Sequence, residues 1–335
     1  MSVTIDYVAR MANVSKATVS RVINNKVEGV GKETRARVQK VIDEYGYHPN
    51  LLARGIATSR TKIIGLVIPD IMNPFFPAVV KSIEEYASVN GYTVILCNTD
   101  SSPEKESKCI STLIANRVDG VILASGLDEK NQIQQEFKKY SIPYVLIDRR
   151  MKNNRCAGIF VDNEYAFYTA ADFLVKHGNT KIAFIQGPSN LSTTLERLEG
   201  YRSVLKQYDI PFDPDLVAQG DFSYGSGYKA VTDLCNKGTR FSAVLASNDM
   251  MAIGALNALH NLGYKIPDEI EVIGFDNIEF SKMVNPPLTT MEQPIYELGA
   301  KAAQALIKAI EGQNLAETNI RLEAKLVIRE TTRKK

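Results

Sequence analysis

From Lys62 onward, short apolar runs alternate with amphipathic stretches, and no other feature of the chain restricts its fold as strongly. The runs are 63–69, 93–98, 120–124, 144–148, 158–161, 181–186, 243–246, 271–275 and 288–291. They are too short for buried helices and rich in Val and Ile, so they read as strands. Between many of them lie stretches with helical spacing of apolar residues, at 78–90, 104–116, 165–177, 194–208, 250–262 and 295–311. Parallel strands need a crossover connection, and a helix is the usual one, so this alternation predicts an α/β fold of parallel, doubly wound sheet. About ten strands exceed a comfortable single sheet, which predicts two lobes.

The first sixty residues follow another rule. Ile5, Val8 and Ala9 give a short helix one apolar face, with Thr4 placed to cap it. After a turn at Ala12, Asn13 and Val14, Ser15 can cap a second helix. Val19, Val22 and Ile23 lie on one side of that helix, and Lys16, Ala17, Ser20 and Arg21 on the other. Val38, Val41, Ile42 and Tyr45 mark a third helix, which Gly46 stops. Two short helices, a tight turn and a polar second helix make a helix-turn-helix, whose second helix fits a DNA major groove. The bare alternative is a small amphipathic hairpin. Charge favours the first reading: residues 1–62 carry 11 Lys and Arg against 5 Asp and Glu, while the remainder carries 29 against 33. A basic head on a mildly acidic body suits contact with phosphate.

Ligands of parallel α/β sheets bind at the carboxyl ends of the strands. Those positions hold Asn73, Phe75, Phe76, Asp148, Arg149, Asn248, Asp276 and Gln293, with Arg197 near a helix start and Phe222 in a loop. Aromatic faces pack on sugar C–H surfaces, while carboxylate, guanidinium and amide groups accept and donate to hydroxyls. Each residue has a plainer role open to it, such as an ion pair for Asp148 and Arg149 or a helix cap for Asn248 and Asp276.

Catalytic readings find little support. His48, His177 and His260 have no partners at metal-ligand spacing, and neither a G-x-S-x-G elbow nor a phosphate-binding P-loop occurs. Gly225, Gly227 and Ala230 match a loose dinucleotide pattern, but no clear strand precedes them, so they read as a helix start. Cys97, Cys109, Cys156 and Cys235 are widely spaced, as expected of reduced, buried thiols. No apolar run reaches membrane-spanning length, and the N-terminus lacks the apolar core of a secretion signal; a cytoplasmic protein without metal or cofactor is expected.

Residues 18–24, 47–50 and 53–57 resemble the head and hinge of the LacI family of bacterial transcription regulators, and the resemblance runs the whole length of the chain. It implies a helix-turn-helix domain at 1–49, a hinge helix and linker at 50–61, and a body at 62–335 similar to periplasmic sugar-binding proteins. The body is expected to divide into lobe 1 (62–161 and 292–322) and lobe 2 (162–291 and 323–335), with crossovers near Val161, Met291 and Leu322. Lys16, Ala17 and Arg21 occupy the family's base-reading positions, and Arg21 suits a bidentate contact with guanine. Thr4, Ser15, Thr18, Ser20, Asn24, Thr34 and Asn50 join them as DNA contacts, several of them to phosphate. In the hinge, Ala53 and Ile56 are the DNA-facing residues; Ile56 stands where the family has a leucine wedge, and Gly55 before it is a departure that loosens the free hinge.

The ten strand-end residues resemble the pocket of ribose-binding proteins position by position, which implies a ribose-like monosaccharide. Arg149 and Arg197 equally suit the carboxylate of a keto-sugar acid such as 2-keto-3-deoxygluconate. The expected whole is a homodimeric repressor of a carbohydrate-use operon, bound to double-stranded operator DNA and controlled by a small sugar. A sugar-binding transport module and an α/β enzyme are the readings from other classes.

Overall fold

A computed structural model describes residues 3–23, 29–47, 60–124, 132–150, 157–313 and 319–333. Asn24, His48, Asn50, Ala53, Gly55, Ile56 and Cys156 therefore lie outside the described residues. The chain divides into two compact units, 1–61 and 62–335.

In the first unit, α1 (Ile5–Met11), α2 (Lys16–Ile23) and α3 (Lys32–Tyr45) enclose a small core of Val8, Ala9, Ala12, Val19, Val22, Val38, Val41 and Tyr47. Seven- and eight-residue helices are marginal alone in water, so their order rests on this shared core and on their caps. Thr4 Oγ1 accepts from the Tyr7 amide at 3.3 Å, and Ser15 Oγ accepts from the Thr18 amide at 3.1 Å. Arg37 Nε donates to the Ala12 carbonyl at 2.9 Å and ties α3 to the turn.

The second unit contains two six-stranded sheets. The first is built from β1 (Ile63–Ile68), β2 (Thr93–Asn98), β3 (Gly120–Leu123), β4 (Tyr144–Ile147), β5 (Gly158–Val161) and β11 (Asn319–Leu322). The second holds β6 (Ile182–Gln186), β7 (Val217–Gln219), β8 (Ala243–Ala246), β9 (Glu271–Asp276), β10 (Thr289–Glu292) and β12 (Lys325–Val327). Their orders are β2-β1-β3-β4-β5-β11 and β7-β6-β8-β9-β10-β12, so the same doubly wound arrangement occurs twice. All pairings are parallel except β10 with β12. The chain passes between the sheets after β5, after β10 and after β11.

Helices cover both sheets: α4 (Phe75–Val89), α5 (Pro103–Ala115), α6 (Gln132–Lys139) and α12 (Ile295–Ile310) on lobe 1, and α7 (Asn163–Lys176), α8 (Ser192–Gln207), α9 (Tyr224–Asn236), α10 (Asp249–Asn261) and the one-turn α11 (Phe280–Met283) on lobe 2. Of the dinucleotide-like glycines, Gly227 serves packing: a methyl on it would lie 2.1 Å from the Met251 carbonyl, so α9 and α10 cross there in backbone contact. Cys97, Cys109 and Cys235 are free thiols, half-buried rather than fully buried.

Candidate functional site

On α2 the burial divides by face. Val19 and Val22 are buried, while Lys16, Ala17 and Arg21 are exposed and Thr18 and Ser20 half-exposed. Lys16 Nζ reaches Asp6 Oδ1 at 2.5 Å, but both side chains are more than half exposed, and such a pair adds little to stability. Gly29, at φ +82°, lies beside the Arg21 guanidinium, where a methyl group would stand 3.2 Å from Nη1. Thr34, on α3, is half-exposed. The unit thus presents a polar helix face held by a rigid apolar one.

In the second unit all ten strand-end residues line one narrow cavity. Lobe 1 supplies Asn73, Phe75, Phe76, Asp148 and Arg149; lobe 2 supplies Arg197, Phe222, Asn248 and Asp276; Gln293 comes from the crossover after β10. Thr193 lines the cavity too and was missed in the sequence. Its signal was available: it stands one helical turn before Arg197 on α8.

Several of these side chains are fixed by their own surroundings. Asn73 Oδ1 accepts from the Phe75 amide at 3.2 Å and starts α4, where the Phe75 and Phe76 rings meet edge-on at 5.0 Å. Asn248 is a helix cap as well as a cavity residue: its Oδ1 accepts from the Met251 amide, and its Nδ2 donates to the Phe222 carbonyl, both at 2.9 Å. The Phe222 ring rests on Gly187, where a Cβ would come within 2.2 Å of it. Asp148, Phe222 and Asp276 have φ of 62°, 70° and 116°. Left-handed backbone in non-glycine residues costs energy and gathers at ligand sites, where it aims side chains that ordinary strand geometry would turn away.

The electrostatics are those of a buried cluster of opposite charges. Arg197 donates from Nε to Asn163 Oδ1 at 2.9 Å and from Nη1 to the Ser247 carbonyl at 2.6 Å, and lies 4.2 Å over the Phe275 ring. Arg149 is 4% exposed; its Nε stands 3.6 Å from Asp148 Oδ2, and neither Nε nor Nη1 has a hydrogen-bond partner among the described residues. Buried donors without acceptors are costly, so Arg149 is poised to donate into the cavity. Burial raises the Asp148 carboxyl above the usual range despite Arg149 and Arg197. Asp276 is raised further, by burial and then by the neighbouring Asp249 charge, while Gln293 Nε2 donates to it at 2.6 Å. Two carboxyls and two guanidinium groups line the cavity.

Among the described residues, no cluster of three or more His, Cys, Asp or Glu side chains is arranged for a metal, and no helix is long and apolar enough to cross a membrane.

Residues 4–50 match the model for bacterial regulatory proteins of the lacI family, and residues 61–330 the model for periplasmic binding proteins and the sugar-binding domain of the LacI family. The chain is 38% identical over 330 residues to the ribose operon repressor of Halalkalibacterium halodurans, covering 98% of this chain and 97% of that one. The Lac repressor dimer bound to operator and the anti-inducer ONPF is similar at a TM-score of 0.89 and 30% identity, over 99% of both chains. A LacI family transcriptional regulator from Enterococcus faecium with bound ribose is similar at a TM-score of 0.75 and 30% identity, over 81% of this chain and 98% of that one. The head, the paired doubly wound lobes and these matches agree, and the chain belongs to the LacI family of DNA-binding bacterial regulatory proteins.

Proposed function

We propose that this regulator is a homodimeric repressor of a carbohydrate-use operon and that its cleft takes a neutral, ribose-like monosaccharide. The lining of the cavity carries the ligand class: phenyl faces beside carboxyl, guanidinium and amide groups form the donor and acceptor set of a polyol in a buried site. Phe75, Phe76 and Phe222 supply the apolar faces for sugar C–H groups, and the charged residues with Asn248 and Gln293 supply hydroxyl partners. Similarity to a ribose operon repressor and to a regulator with bound ribose supports the same class.

Lys16, Ala17 and Arg21 read base edges from α2, with Arg21 placed for guanine and Ser20 on the same DNA-facing side, while Thr4, Ser15, Thr18 and Thr34 face the phosphates. Two copies related by a two-fold read two half-sites of a pseudo-palindrome, and sugar binding between the lobes alters how the heads dock. One observation favours a second ligand: the unpartnered nitrogens of Arg149 equally suit a sugar acid.

A mobility-shift titration on the DNA upstream of the coding sequence, with and without D-ribose, tests the whole. A salt-sensitive, specific shift that ribose changes and Arg21→Ala abolishes is expected. A wild-type-like shift for Arg21→Ala refutes the DNA reading. A thermal-shift panel of pentoses, hexoses and sugar acids decides the ligand: stabilisation by an acid and not by ribose replaces the neutral sugar with the acid.

A further inference from the structure

Outside the cavity, a chain of polar contacts runs from lobe 1 across the cleft and back to Arg197. Arg150 follows β4 in lobe 1, and its guanidinium lies 4.7 Å over the Phe160 ring of β5, which holds it against its own lobe. Its contacts nonetheless reach lobe 2. The Arg150 amide donates to Ser192 Oγ at 3.0 Å, and its guanidinium forms an ion pair with Glu196, Nε standing 3.3 Å from Oε1 without a hydrogen bond, both partners being on α8. Glu196 Oε2 in turn accepts from Asn163 Nδ2 at 3.0 Å, and Asn163 Oδ1 accepts from Arg197 Nε at 2.9 Å. Asn163 is 2% exposed and opens α7 directly after the first crossover, whose Asp162 stands 3.7 Å from Arg321 of β11 at the third.

We infer that Arg150 and Glu196 form a latch across the cleft and that Asn163 couples the latch to Arg197. Neither Arg150 nor Glu196 lines the cavity, so both are positioning residues that act on the ligand through Arg197. When the lobes close, Arg150 meets Glu196; with its second oxygen Glu196 steadies the Asn163 amide, and Asn163 fixes the Arg197 guanidinium that lines the cavity. Opening removes the cation from Glu196 and frees that chain. Their side chains are 33% and 28% exposed, enough shielding for the pair to contribute and enough access for salt to weaken it. The inference rests on the cleft being the ligand site, but the latch itself is a property of the ligand-free chain.

The test uses the full chain with Arg150→Met, which keeps an apolar stem over Phe160, with Glu196→Gln, and with both. Amide hydrogen exchange without ligand is followed at 144–150 and at 192–200. Each single substitution is expected to raise exchange in both segments, with the double no worse than the stronger single. Calorimetric titration with D-ribose is expected to weaken by about 3- to 30-fold in each single variant, non-additively in the double. Affinity for this uncharged sugar should also fall with salt in the wild type but not in Glu196→Gln. Exchange that rises only in the segment carrying the substitution, or additive losses of affinity, overturns the latch. If the wild type binds no ribose, the ligand reading fails, and the exchange data still decide the latch.

Discussion

Asp249 gives the sharpest quantitative expectation. It is fully buried at the first position of α10, directly behind the cavity wall. Thr290 Oγ1 donates to its Oδ1 at 2.6 Å, and the Ile278 amide donates to its Oδ2 at 2.9 Å. Burial outweighs these bonds and pushes its carboxyl from 3.8 up to about 7. A carboxyl whose folded value exceeds its unfolded value keeps its proton longer in the native state. Its contribution is then greatest below pH ~4 and is lost as the pH rises through ~7. At 1.36 kcal/mol per pKa unit, the loss between pH 5 and pH 8 is about 2–3 kcal/mol. Asp249→Asn removes the titration while an amide can still donate to Thr290 and accept from Ile278. The stability difference, variant minus wild type, should therefore grow by about 2–3 kcal/mol from pH 5 to pH 8. Urea unfolding of both proteins at several pH values measures it. Parallel stability curves refute the reasoning, because the Asp249 proton would then play no part.

Three other substitutions probe separate links. Gly187→Val drives a side chain into the Phe222 ring, so ribose affinity should fall by at least about tenfold, one hydrophobic contact's worth, with a smaller change in thermal midpoint; unchanged affinity removes Phe222 from the site. Gly227→Ala forces α9 off the Met251 backbone and should cost about 1–3 kcal/mol in urea unfolding. Ser15→Ala deletes the cap of α2 and should lower the stability of the 1–61 unit by ~1 kcal/mol, read by hydrogen exchange at 16–23 and not at 63–68.

What was legible in the sequence, and what was not, follows from how each element is stabilised. The central strands and main helices bury continuous apolar runs or stripes, so periodicity alone located them. The strands β7, β11 and β12 did not announce themselves: Val217-Ala-Gln219, Asn319–Leu322 and Lys325–Val327 are short, largely unburied edge strands made by the neighbour they join. Helix α6 keeps only Ile133 and Phe137 buried, too few for a pattern. The cavity residues were visible because strand ends are predictable places for ligands, yet the left-handed backbone of Asp148, Phe222 and Asp276 carries no glycine to mark it. Asn163, Glu196 and Asp249 act from behind that wall, and no short-range sequence rule brings together residues so far apart.

The three passages of the chain between the sheets set an order on synthesis. Strand β5 is complete at Val161, but its outer neighbour β11 begins only at Asn319, after nearly the whole of lobe 2 has been made. Lobe 2 likewise waits for β12 and for Thr331, whose hydroxyl bonds the Val272 carbonyl. During translation β5 and β10 thus lack their outer neighbours until residues 319–327 have been made, and both strands are added almost together. A nascent chain arrested just before Asn319 should show both lobes incompletely protected, and its release should protect them in one step.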